Sequence, residues 1–85
     1  MARIFNRVKK ILVDELGVDE TAIQPPASFI DDLNMDPDDI AEFFTTVEDT
    51  FGTPENKVEI PEAESDKILT VQDLIDYLGD LGIED

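Results

Sequence analysis

The run Asp36-Pro37-Asp38-Asp39-Ile40-Ala41-Glu42-Phe43-Phe44-Thr45-Thr46-Val47-Glu48-Asp49-Thr50-Phe51 holds a helix start and a helical apolar stripe. Asp36 is a good N-cap, because its carboxylate can accept from the free backbone N–H groups of a first turn. Pro37 at the first helical position gives up no needed donor, and Asp38 and Asp39 face the positive end of the helix dipole. Ile40, Phe43, Phe44, Val47 and Phe51 then recur at i, i+3, i+4, i+7 and i+11, which predicts a helix over 37–51 with that side buried. The opposite face reads Asp38, Glu42, Thr45 and Asp49, bordered by Asp39 and Glu48, and is almost purely anionic. From Asp14 through Asn56 there is no Lys or Arg, so neutralising groups must come from the chain ends or from another molecule.

Working outward, Ile4, Val8, Ile11 and Leu12 have helical spacing and Gly17 supplies a stop, predicting a first helix over 3–16. Its basic opening, with Arg3, Arg7, Lys9 and Lys10, sets cations at the wrong end of a helix dipole unless acidic neighbours pair with them. Residues 18–35 are long for a connection, yet Val18, Ile23, Phe29, Ile30 and Leu33 offer anchors to a core and Pro25-Pro26 stiffens the middle. An ordered loop with a helical turn near 28–33 is expected. Beyond Gly52 lie a turn-rich segment, Thr53-Pro54-Glu55-Asn56-Lys57, and the extended Val58-Glu59-Ile60-Pro61. Pro61 opens a short third helix over 62–68. Thr70 with Asp73 reads as a capping box, Val71, Leu74, Ile75 and Leu78 form a fourth apolar stripe, and Gly79 and Gly82 end it. The tail from Ile83 to Asp85 is expected to fray.

Composition limits the chemistry. Eighty-five residues suit one domain over 1–85, and 41% hydrophobic content is globular despite a formal charge of −16. The excess charge belongs on the surface, where it repels nucleic acid and anionic membranes and attracts basic protein patches or cations. It also favours a monomer. The chain has no Cys and no His, which excludes disulfides, thiolate nucleophiles, zinc-finger spacing and Ser-His-Asp arrangements. No apolar run is long enough for a membrane span and no signal-peptide core is visible, so a cytoplasmic or organelle-matrix location is expected. The basic opening has the composition of a transit peptide, but its apolar spacing continues unbroken into a helix of the fold.

The strings Val8-Lys9-Lys10-Ile11-Leu12, Glu15-Leu16-Gly17-Val18, Ala27-Ser28-Phe29-Ile30-Asp31-Asp32-Leu33, Ile60-Pro61 and Lys67-Ile68-Leu69-Thr70-Val71-Gln72-Asp73 resemble the acyl carrier proteins over nearly the whole chain. The resemblance implies an all-α, acyl-carrier-protein-like four-helix bundle with a long first loop and a short third helix. It also implies transport of a fatty-acyl or polyketide chain as a thioester on a phosphopantetheine arm. In the family the arm is attached to the Ser of an Asp-Ser-Leu motif at the start of helix two. Laid on this sequence, Leu33 and Asp36 match, the acceptor Ser falls on Pro37, and the following Leu is Asp38. Proline has no side-chain oxygen, so no phosphopantetheine cofactor is expected. Ser28, Ser65, Thr45 and Thr46 do not stand at a helix start after an Asp. The segment between Gly52 and Val58 is also longer than the family's connection.

What the resemblance leaves in place is the acidic surface by which carriers dock onto basic patches of acyl-chain enzymes. The partner-binding positions here are Asp36, Asp38, Asp39, Glu42, Thr45, Glu48 and Asp49. The plain alternative is a solvated helix face, whose like-charge pairs cost only about 0.2–0.5 kcal/mol each. A carrier with a non-standard attachment is a second alternative. A third is divalent-cation binding, since Asp32, Asn34, Asp36 and Asp38 alternate like the ligands of a calcium loop. That template asks for Gly at its sixth place and Glu at its twelfth, where this chain has Pro37 and Phe43. The carboxylates are not set in a pocket that would shift their pKa values, so no enzymatic activity is expected.

Overall fold

The cap and stripe around Asp36 form the helix they predict. In a computed structural model, which describes residues 3–55 and 57–83, the elements run α1 (Arg3–Leu16), α2 (Pro37–Phe51), α3 (Glu62–Ser65) and α4 (Val71–Asp80). A single 3₁₀ turn at Glu20–Ala22, which the sequence reading did not foresee, interrupts the first loop. The fold is all-helical, with no strand among the described residues. Among the described residues no helix is long and apolar enough to cross a membrane.

The core is built from the stripes. Ile4, Val8, Ile11 and Leu12 of α1, Phe43, Phe44, Val47 and Phe51 of α2, and Val71, Leu74 and Leu78 of α4 are all buried. Helix α1 packs against both α2 and α4. Its basic side finds the partners its sequence left unnamed. The Arg7 guanidinium donates to the Thr50 carbonyl at 3.1 Å and lies 4.2 Å from the centroid of the Phe51 ring. A cation therefore sits at the negative end of α2, where the free carbonyls of a last turn favour it. Lys9 pairs with Glu20 at 3.2 Å.

The first loop is ordered because α4 holds it. The N–H groups of Val71 and Gln72, which have no acceptor within their own helix, donate to the carbonyls of Ala27 (3.1 Å) and Pro25 (2.8 Å). Phe29 N–H donates to the Leu69 carbonyl at 3.1 Å, and Ser28 bridges antiparallel to Thr70. The expected turn at 28–33 is present, with the N–H groups of Asp32 and Leu33 both on the Ser28 carbonyl. Asn34 then takes the left-handed φ of 56°, which Asn tolerates better than most residues. Earlier in the loop, two donors from Thr21, its N–H and its hydroxyl, hold the Asp19 carboxyl below its usual range.

Four expectations need correction. Ile23, Phe29 and Leu33 anchor the loop, but Ile30 is 53% exposed, because a turn that buries Phe29 aims its neighbour outward. Ala27 and Met35, not named as anchors, are buried instead. Helix α3 stops at Ser65 rather than reaching 68, since Asp66 and Lys67 close it as a turn that sends Ile68 inward. Gly79 lies inside α4, and Gly82 alone, at φ 93°, makes the left-handed stop, its N–H on Gly79 O and the next N–H on Leu78 O. That last bond ties Ile83 down and packs it against the core, so it does not fray; Glu84 and Asp85 lie outside the described residues.

At the far end of α2, Gly52 is required for a different reason. A Cβ built there would stand 2.6 Å from the Glu48 carbonyl oxygen and 3.4 Å from the Val58 nitrogen. The first is backbone of α2 and cannot swing away, while the second is ordinary van der Waals contact. Gly52→Ala should therefore cost about 1–3 kcal/mol, the usual range for overpacking, read as a lower urea midpoint. A loss below about 0.5 kcal/mol, typical of a neutral surface change, would show that the segment moves aside freely.

Candidate functional site

The acids of α2 divide by what already occupies them. The Asp36 carboxylate accepts from Asp39 N–H at 2.8 Å, and Asp39 reaches back to Asp36 N–H at 3.4 Å, giving a reciprocal capping box with Asp in place of the longer Glu. Pro37 follows at the first helical position. Glu48, half-buried, accepts from Ile60 N–H at 2.6 Å. Thr45 turns its hydroxyl back onto the Ala41 carbonyl at 3.0 Å, and Thr46 does the same to Glu42.

That leaves Asp38, Glu42 and Asp49. They are exposed, and their carboxylates make no hydrogen bond or ion pair among the described residues. With Thr45 they lie in one row along α2, as the 3.6-residue period requires. Arg7 and Lys9 are committed elsewhere, so the row keeps its negative field. Of the seven candidate residues, three are thus engaged through their carboxylates in caps or ties, one is turned onto its own helix, and three project into solvent.

The four oxygen-bearing residues of the calcium-like run are not gathered into a cage. The Asp32 carboxylate accepts from Ser28 N–H at 2.7 Å while Asp36 caps α2. Among the described residues no group of three or more Asp or Glu side chains is placed to hold a metal ion.

Beside the acidic row runs a groove that the sequence reading missed. About 730 Å³ in volume, it lies between the 28–31 turn, the first half of α2 and the 60–69 segment. Its walls include Phe29, Ile40, Phe44 and Ile60, and Leu69 (57% exposed) and Ile30 stand at its edge. Pro37 also lines it. A signal for Leu69 was available: Ile68 and Leu69 are adjacent, and residues next to each other in an extended stretch face opposite ways.

Hydroxyl groups around this groove have local tasks. Ser28 Oγ accepts from Asp31 N–H at 3.3 Å, and Ser65 Oγ donates to the Glu62 carbonyl at 2.9 Å. The start of α2 itself carries a proline, with no side-chain oxygen.

A family model described as the phosphopantetheine attachment site matches residues 6–78. That match runs from within α1 to within α4 and takes in the capped start of α2 and the anchored first loop, so the chain belongs to the phosphopantetheine-attachment-site family, that of the acyl carrier proteins.

Proposed function

We propose that this chain is a carrier-fold protein-interaction module that works without the phosphopantetheine arm. The observation that carries this reading is Pro37, set directly after the Asp36 cap, where the resemblance places the acceptor Ser. An arm joined through a phosphodiester needs a hydroxyl there. Proline has none, and Ser28, Thr45 and Ser65 sit away from a helix start with their hydroxyls engaged. The residues present do not fit the group that the family carries.

The acidic row of Asp38, Glu42 and Asp49 supports recognition by a basic patch, and by resemblance the partners are enzymes of acyl-chain metabolism. Its net charge of −16 favours a monomer that meets such partners by long-range attraction. Asp36, Asp39 and Glu48 contribute field to that surface while their carboxylates stay in their caps and ties.

Reversing Glu42 and Asp49 to Lys tests the surface. Neither side chain supports the fold through a bond, so the variant should melt near the parent. Its association rate with acyl-chain enzymes bearing basic patches, measured by surface plasmon resonance at low ionic strength, should fall by about tenfold or more, as expected for lost steering. The parent's rate should drop steeply with added salt and the variant's clearly less so. Equal rates for the two would remove α2 as the docking site.

A further inference from the structure

Between α2 and α3, residues 57–61 cross the molecule without forming secondary structure. One peptide group in this strap is pinned at both polar ends. Its N–H, that of Ile60, donates to Glu48 Oε2 of α2 at 2.6 Å. Its carbonyl, that of Glu59, accepts from the Tyr77 hydroxyl of α4 at 2.8 Å. The C=O and N–H of a trans peptide point in opposite directions, so the two tethers pull from opposite sides and fix the peptide plane.

Two grooves meet at this point. One is the groove of about 730 Å³ that begins at Pro37. The other, about 720 Å³, runs under the Gly52–Pro54 turn. Both are lined by Glu48 and Ile60, so the two residues joined by this hydrogen bond stand where the grooves adjoin.

We infer that the Glu59–Ile60 peptide is a two-point latch, held shut by Glu48 and Tyr77, whose release from Glu48 joins the two grooves into one channel along α2. The side chains of the strap do not lock it as firmly as its backbone. Val58 is buried, but Ile60 is only half-buried and Glu59 and Pro61 are exposed. Tyr77 is a lasting donor: burial, reinforced by the charges of Glu64, Glu48 and Glu59, pushes its hydroxyl above the ordinary tyrosine range.

Amide hydrogen exchange followed by NMR tests the latch. In Glu48→Ala the Ile60 amide should exchange about tenfold faster or more, as for loss of a hydrogen bond to a charged group. In Glu48→Gln, which keeps a carbonyl acceptor at the same reach, the increase should stay within about threefold. Glu42→Ala should leave Ile60 unchanged. The buried Val47 amide reports on the helix itself and should keep its rate in every variant. A neutral apolar dye, N-phenyl-1-naphthylamine, should fluoresce more strongly with Glu48→Ala than with the parent or with Glu48→Gln. An unaltered Ile60 rate in Glu48→Ala, a rise shared equally by Val47, or equal dye fluorescence in all variants would overturn the proposal.

Discussion

Phe43→Ala should bring the protein close to unfolding. Phe43 is fully buried at the middle of α2 and packs on Phe29 of the first loop (centroids 5.5 Å apart, planes tilted 56°) and on Phe44 (5.7 Å). Phe29 closes the triangle with Phe44 at 6.1 Å, edge to face. Truncating an enclosed Phe costs about 3–5 kcal/mol from lost transfer energy and the cavity left behind. Each aromatic pair adds about 0.5–1.5 kcal/mol beyond its buried area. At roughly 0.05–0.15 kcal/mol per residue, a chain of this length has about 4–13 kcal/mol in all. A fall in melting temperature of about 12–40 °C is expected, taking about 4–8 °C per kcal/mol, with circular dichroism as the readout. The companion Ile30→Ala, at an exposed site one residue from Phe29, should stay within about 0.5 kcal/mol. A loss below 1 kcal/mol in Phe43→Ala would mean that this cluster is not the keystone between loop and helix.

The second large effect is chemical and close to all-or-none. Incubated with coenzyme A and a broad-specificity phosphopantetheinyl transferase, the parent chain should keep its mass, and Pro37→Ser should gain one arm. The substitution leaves the cap intact, because the Asp36 carboxylate binds the backbone N–H of Asp39 and not residue 37. Its cost in stability is about 0.4–1 kcal/mol, the chain entropy that a compatible proline removes from the unfolded state. Intact-mass spectrometry reads the outcome directly. A gain of one arm by the parent would defeat the arm-less reading and send the search to Ser28 or Ser65. A Pro37→Ser variant that melts like the parent but stays unmodified would place the block at Asp38, where the family has Leu, or at the longer segment after Gly52.

These two residues show how unequally structure and site can be read from a chain. Phe43 was readable because its burial follows from period alone: a stripe at i, i+3, i+4 and i+7 has one dry side. Pro37 was readable because what matters there is an atom the residue lacks. Glu48 was not. On the sequence it is one more acid at the border of an anionic face, and its 2.6 Å bond to Ile60 N–H joins residues twelve apart. Such a bond depends on how a strap without periodicity crosses a helix, which local pattern does not encode. Ile30 failed for the opposite reason, since apolar character alone does not say which way a turn aims a side chain.

By itself, then, the sequence determined α1, α2 and α4 with their buried faces, the N-terminal caps of α2 and α4, and the absence of an oxygen after Asp36; the end of α3 and the stop of α4 it did not. The features it determined follow from propensity, dipole and period, which act over a few residues. Only the tertiary structure decided how the long loop is held, which acids are committed and which are exposed, and where the grooves run. Each of those depends on pairings across the fold: Val71 and Gln72 donating to the loop, Arg7 closing the end of α2, and Glu48 and Tyr77 gripping one peptide from opposite sides.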